Sequence, residues 1–250
     1  MEITVLGTSA AWPGPGRAAA GFLVRHEDTA VVLDLGTGTL ANLQLHVPHE
    51  QLDAVLVTHE HLDHCLDLLP LTVARVFHPE PLRPLPFVAP AGVFERLAAV
   101  ERDQHRKEMY GLFEVRELGA GDAFEVGPLR ITTGALPHLV PNLGFRIEAA
   151  GVALAYTGDT GPSEEIEALA KGVDLLVSEA SWEDERGILV EGHLTARQAA
   201  EHAAAAEAGT VLLTHFWNTV DRDRAREHAA AAFDGEVAVA DEGMKVRVGS

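Results

Sequence analysis

Cysteine occurs once in the chain, as Cys65, which excludes intrachain disulfides and zinc sites built from cysteine. Cys65 is expected to pack as a small residue at the start of a helix. Basic residues are also scarce: 19 Lys and Arg stand against 38 Asp and Glu, a net charge of −19. Such a molecule repels polyanions, and extended nucleic acid needs a basic footprint that is missing here. A small anionic substrate stays open, because bound cations reverse the field inside a cleft. No apolar run reaches the roughly 18 residues of a membrane span, so no membrane partner is expected. No basic segment precedes Ile3-Thr4-Val5-Leu6, and a cytoplasmic protein without a signal peptide is expected. Repeats and low-complexity linkers are absent too, and 250 residues, 47% of them hydrophobic, suffice for a single α/β domain over 1–250.

Short β-branched or alternating runs predict strands at 2–6, 21–26, 30–35, 53–58, 113–117, 129–136, 144–148, 152–157, 174–178, 210–214 and 244–248. Helix formers and caps predict helices at 39–46, 64–77, 92–100, 162–171, 195–208 and 221–232. Ser163 and Thr195 read as N-caps, and Thr195 with Gln198 fits a capping box. The prolines between Pro79 and Pro90 predict a loop, followed by a helical excursion to about Tyr110. That segment and Trp12-Pro13-Gly14-Pro15-Gly16 either rim a pocket or decorate the surface. Strands gather in two halves with helices after each, which suggests two packed sheets with helices outside.

What the chain does contain is a polar string, His59-Glu60-His61-Leu62-Asp63-His64, straight after the apolar run Ala54 to Thr58. Imidazole and carboxylate together are the ligands of zinc, manganese and non-haem iron. Three further strand-like runs end on His138, Asp159 and His215. Loops at one edge of a sheet converge, so these residues can meet across the chain. His59, His61, Asp63, His64, His138, Asp159 and His215 make seven donors, too many for one zinc and right for two metals if Asp159 bridges. Two such cations lower the pKa of a shared water and clamp both oxygens of a displacement.

The pattern resembles the metallo-β-lactamase superfamily, over nearly the whole chain. The resemblance implies a four-layer αββα sandwich of two packed mixed sheets flanked by helices. It also implies a first metal on His59, His61 and His138 and a second on Asp63, His64 and His215, with Asp159 between them. Zinc is the first expectation, with manganese or iron as alternatives. Asp34-Leu35-Gly36 matches the superfamily's early Asp-x-Gly turn, which supports the metal loop without ligating.

A second cluster, Ser178-Glu179-Ala180-Ser181 with Gly192-His193-Leu194-Thr195-Ala196 and the later Leu213-Thr214-His215, is similar to the ribonuclease Z-like phosphodiesterases. So is the opening Leu6-Gly7-Thr8-Ser9-Ala10. His193 is expected at a helix N-terminus, where free amides favour anions. There it would stabilise a phosphate or protonate the leaving oxygen, with Glu179 orienting it. Asp63, His193 and Glu179 are thus the catalytic expectation. Only residues 139–158 separate His138 from Asp159, where ribonuclease Z inserts its tRNA-gripping arm. What remains resembles the short, armless branch, including atypical class II cyclic-nucleotide phosphodiesterases. Hydrolysis of a small phosphodiester is the leading expectation, with a cyclic nucleotide as the first candidate and a homodimer expected by resemblance alone. Hydrolysis of a lactone, thioester or other carboxylic ester by the same metal pair is the alternative, and RNA 3′-end cleavage a further one. Trp12, Phe77, Phe87, Phe94, Tyr110, Trp182, Phe216 and Trp217 are candidates to stack on a base.

Overall fold

The computed structural model describes residues 1–184 and 190–249. Its first sheet takes β1 (Glu2–Gly7), β2 (Gly21–His26), β3 (Thr29–Leu35), β4 (Ala54–Leu56), β5 (Leu85–Ala89) and β6 (Phe113–Glu117). The second takes β7 (Ala123–Val126), β8 (Leu129–Leu136), β9 (Asn142–Ala149), β10 (Val152–Tyr156), β11 (Leu175–Glu179), β12 (Thr210–Thr214) and β13 (Glu236–Val239). The last strand, β14 (Lys245–Arg247), returns to the first sheet beside β1, so each sheet has seven strands, β14-β1-β2-β3-β4-β5-β6 and β13-β12-β11-β10-β9-β8-β7. Each sheet runs antiparallel early in its sequence and parallel from its middle onward, at β3 to β6 and at β10 to β13.

Burial on both faces explains the continuous apolar runs. In β3, Val31 and Leu33 face the other sheet, while Ala30, Val32 and Leu35 face the helices. Between the sheets lie Ile3, Val5, Phe22, Ile131, Phe145, Ile147, Val177 and Leu212. Outside the first sheet pack α1 (Thr39–Leu43), α2 (Leu62–Cys65), α3 (Leu68–Val76), α4 (Val93–Ala98) and α5 (Asp103–Leu112). Outside the second pack α6 (Glu164–Ala170), α7 (Ala196–Ala205) and α8 (Arg222–Ala230). In α7, Ala196, Ala199, Ala200 and Ala203 are all buried; this i, i+3, i+4, i+7 stripe of small side chains lets the helix lie close to its sheet. Thr195 caps α7 with the reciprocal Gln198 bonds of a capping box. Ser163 holds the N-cap position of α6 but makes no side-chain capping bond. The four-layer αββα sandwich is as expected from sequence.

Three strands escaped the sequence reading: β5, inside the proline-rich stretch, and the edge strands β7 and β13. The predicted helix at 64–77 is two helices, α2 and α3, broken at Leu66-Asp67. Cys65 ends α2 rather than starting a helix, buried, with its thiol bonded to the His61 carbonyl at 3.2 Å.

Candidate metal centre

One edge of the sandwich collects every candidate ligand. β8 is antiparallel to β9 and β9 to β10, so β8 and β10 point the same way. β11 and β12 run parallel to β10. The C-terminal ends of β8, β10, β11 and β12 therefore share an edge, and they deliver His138, Asp159, Glu179 and His215. From the first sheet β4 delivers His59 and His61, and α2 carries Asp63 and His64. Open α/β sheets bind their ligands at such strand ends.

The donors divide into two groups with Asp159 between them. Nε2 of His59 and Nδ1 of His61 are 3.0 Å apart, and Nε2 of His138 is 3.2 Å from the same His61 nitrogen. In the other group, Nε2 of His64 is 3.1 Å from Nε2 of His215, which is 3.3 Å from Oδ2 of Asp63. Asp159 turns Oδ2 toward the first group, 3.7 Å from His59 and 3.8 Å from His138. Its Oδ1 faces the second, 3.2 Å from His64 and 3.3 Å from His215.

The outer nitrogens fix how the rings face inward. Thr58 Oγ1 donates to Asp34, so it accepts from Nδ1 of His59 at 2.9 Å. His138 donates Nδ1–H to the Gly192 carbonyl at 2.9 Å, and His64 donates Nδ1–H to Asp34 at 2.7 Å. Ser181 donates to Glu179 at 2.6 Å, so its oxygen accepts from Nδ1 of His215 at 3.1 Å. With Nδ1 as the donor in all four rings, each Nε2 turns into the cluster, as metal-ligating histidines require.

Burial lowers the pKa of His59, His61 and His138, so these rings present lone pairs. His64 is also pushed down by burial, but the Asp159, Asp34 and Asp63 carboxylates around it outweigh this and raise its pKa; a metal ion binding there displaces a proton. Burial raises Asp159, yet the His215 and His64 charges override it and keep the carboxylate ionised. Asp63 is held low in the same way by His64 and by its bond to His215.

Converging lone pairs and ionised carboxylates, with the Asp159 Oδ1 atom buried and lacking a well-formed hydrogen bond among the described residues, fit divalent cations. The fit is to two ions, one on His59, His61 and His138 and one on Asp63, His64 and His215, with one oxygen of Asp159 toward each.

Asp34 underlies the whole arrangement. Fully buried, it accepts from the Thr58 amide at 2.7 Å, from the Thr58 hydroxyl at 3.0 Å, from His64 and from the Tyr156 hydroxyl at 2.6 Å. Burial and Asp34 together raise the Tyr156 pKa well above the usual phenol range, so it remains a donor. Gly36 is required by close approach: a Cβ there would lie 1.8 Å from the Asp63 carbonyl oxygen.

Glu179 is not a surface acid but fully buried. It accepts from the amides of Thr160 and Leu194, from Ser181 and from His193, whose Nδ1 is 3.1 Å from Oε2. His193 stacks against His215 at a ring separation of 5.8 Å and stands 5.1 Å from the His138 ring. Burial pushes the His193 pKa down, but the Glu179 charge and hydrogen bond override this and set it at about 9. His193 precedes the Thr195 cap as expected, but the expectation of free amides around it needs correction. The helix begins at Ala196 behind the Thr195 cap, and the nearby amides of Leu194, Thr195 and Ala196 bond to Glu179, Gln198 and Trp182. Among the described residues, Glu179 at 3.1 Å holds His193 Nδ1, with the Ser181 hydroxyl 3.3 Å away, rather than the helix terminus.

Of the proposed stacking aromatics, Phe87, Phe94 and Phe216 are buried core. Phe77 and Tyr110 are exposed on the α3 and α5 surface, whereas Trp12, Trp182 and Trp217 pack together beside the site. Sequence reasoning missed the roles of Thr58, Tyr156, Ser181 and Gly192. Only Ser181 carried a signal, standing two residues after Glu179.

Fold and donor set together give His/Asp clusters suited to two metal ions at the edge of an αββα sandwich. A family model described as "Beta-lactamase superfamily domain" matches residues 29–216. Protein Rv1339 of Mycobacterium tuberculosis is 35% identical over 99% of this chain and 93% of its own. Ribonuclease Z of Mycobacterium bovis is 31% identical over 99% and 98%. The crystal structure of the metallo-β-lactamase fold protein YhfI from Bacillus subtilis covers 98% of this chain and 99% of its own, with 27% identity and a TM-score of 0.89. The chain belongs to the metallo-β-lactamase superfamily, among ribonuclease Z-like relatives.

Proposed function

We propose that the protein is a two-metal hydrolase of small phosphodiesters, with a cyclic nucleotide as the first candidate substrate. The observation that carries this is His193, held through Nδ1 by a fully buried Glu179 and set against His138 and His215. Hydrolysis of a thioester, whose thiolate departs without a proton, requires no such imidazole. Displacement at phosphorus benefits from one, because a poor alkoxide leaving group must be protonated as it departs. Zinc fits the imidazole-rich donor set, and manganese or iron fits it as well. When bound, the two ions supply Lewis acidity and an activated water.

This chain's own residues do the rest. Asp34, Thr58, Ser181 and Gly192 fix the ligand rings, so the site is organised before substrate arrives. Water's oxygen forms the new bond to phosphorus as the ester P–O bond opposite it breaks. His193 is engaged at Nδ1, so Nε2 remains to meet the substrate and pass a proton to the departing oxygen. Water makes good that proton, and the products are a phosphomonoester and an alcohol. Ribonuclease Z among the relatives supports phosphodiester chemistry, and the name "Probable metallo-hydrolase" borne by YhfI supports the broader class. The net charge of −19 and the short 139–158 segment favour a small substrate over tRNA.

The test is AMP release from 3′,5′-cyclic AMP by zinc- or manganese-loaded protein, with His193→Ala alongside. Metal-dependent turnover that falls about 100-fold or more in the variant is expected. Turnover of lactones or thioesters that survives His193→Ala, with none of phosphodiesters, would overturn the proposal in favour of carboxylic-ester hydrolysis.

A further inference from the structure

All three tryptophans of the chain meet at one place. Trp182 and Trp217 stack with ring centroids 4.8 Å apart, and Trp12 meets Trp217 edge-on at 5.1 Å. Each is tied by the chain to the metal centre. Trp12 follows Ala11, whose amide donates to Oδ2 of Asp63 at 2.7 Å. Trp182 follows Ser181, the partner of His215 and Glu179, and Trp217 lies two residues after His215.

We propose that Trp12, backed by Trp217 and Trp182, is the platform on which the nucleobase of the substrate stacks while its phosphodiester lies at the metal centre. This inference rests on the phosphodiester reading and names the recognition element for it. A core role explains the trio poorly. Trp12 is 47% exposed, and the indole N–H groups of Trp182 and Trp217 are buried with no hydrogen-bond partner among the described residues. Phenylalanine would fill that space without stranding a donor.

The loop that carries Trp12 is nevertheless held firmly. The Ala10 amide bonds to the Phe216 carbonyl at 2.9 Å, Asn218 donates to the Trp12 carbonyl at 3.1 Å, and Ala11 sits in the left-handed region at φ 59°. A half-exposed aromatic on a fixed backbone loses little freedom when a flat ligand covers it. Two residues adjoining the ligands in sequence are apolar and exposed as well: Leu62, between His61 and Asp63, is 51% exposed, and Leu139, next to His138, is 62% exposed. A charged centre with apolar and aromatic neighbours matches an anion joined to a flat heterocycle, and stacking of this kind tolerates any base.

The test compares wild type, Trp12→Ala and Trp12→Phe on 3′,5′-cyclic AMP and on ribose 3′,5′-cyclic phosphate, which lacks a base. Trp12→Ala is expected to raise KM for cyclic AMP about tenfold or more, with a much smaller change in kcat and recovery in Trp12→Phe. The preference for the base-bearing substrate should shrink by the same factor. An unchanged KM, or an equal loss on both substrates, overturns the platform and leaves the phosphodiester reading standing. Tryptophan fluorescence during AMP titration of the zinc-loaded protein gives a readout independent of turnover. Saturable quenching that weakens in Trp12→Ala supports the platform even if neither diester is hydrolysed, in which case only the phosphodiester reading falls. Quenching that is absent, or unaltered by Trp12→Ala, overturns the platform.

Discussion

Asp34 shows how much one side chain can carry. Its two oxygens take four donors, from Thr58, His64 and Tyr156, inside a fully buried pocket. Asp34→Ala would leave all four unsatisfied and free the His64 ring to turn. Zinc affinity, measured by competition with a chelator, should fall about 10–100-fold, and the metal-free protein should lose about 3–5 kcal/mol in a urea titration. Affinity within twofold of wild type would mean that the His64 ring is oriented by packing alone. Tyr156→Phe removes a single donor to the same carboxylate, and a loss of about 1–2 kcal/mol is expected. Asp34 was legible in the sequence through its Asp-x-Gly turn. Tyr156 was not, because an aromatic residue at a strand end reads as core, and its partner is 122 positions away on the other sheet.

At the scale of elements, apolar strands ending on polar residues were readable because both faces are buried, as in β3, β4, β11 and β12. The strand β5 was hidden by Pro86, which lacks the amide a ladder needs. Its pairing explains the tolerance: β4 pairs with β5 only from Phe87 onward, so Pro86 faces β6 alone. The short β7 and β13 have exposed, charged positions at Glu125 and Glu236, and such edge strands give no apolar run to find. The α7 cap was visible at Thr195, as found. The expectation of free amides beside His193 at that helix N-terminus did not anticipate the bonds of Leu194, Thr195 and Ala196 to Glu179, Gln198 and Trp182. Two changes test how elements hold the site. Gly36→Ala would drive a methyl group into the Asp63 carbonyl oxygen and, on its other side, to within 2.8 Å of the Ala20 carbonyl oxygen. Neither backbone can yield without moving the His59–His64 segment, so zinc affinity should fall about tenfold or more, as titration calorimetry would show; normal affinity would mean that the turn relaxes without cost to the ligands. Thr195→Ala removes the cap of α7, and a loss of about 1 kcal/mol in denaturant stability is expected. A larger loss, accompanied by weakened zinc binding, would tie the cap to the His193 turn.

For the whole molecule, the two sheets meet at the metal centre as well as through their shared core. His59, His61, Asp63 and His64 come from the first half of the sandwich; His138, Asp159 and His215 come from the second. Each proposed ion takes donors from both halves, so metal binding should act as a clamp between the sheets rather than as a local ornament. A ligand that binds only the folded state stabilises it by mass action, about 2.7 kcal/mol at a free concentration of 100 times Kd. Zinc added to metal-free protein should therefore raise Tm by several degrees, with two ions bound per chain by elemental analysis. Amide exchange then distinguishes a clamp from a one-sided site. Slowed exchange is expected together in the 57–65 segment and in the loops after β8, β10 and β12, because neither half can open while the ions hold both. Asp159→Ala, which removes the carboxylate facing both groups, should uncouple them, lowering bound metal and letting the two segments exchange at different rates. If zinc protected only the 57–65 segment of the wild type, the ions would belong to one sheet and Asp159 would not bridge. Equal protection in wild type and Asp159→Ala would mean that His138 and His215, which join each ion to the second half, carry the coupling without Asp159.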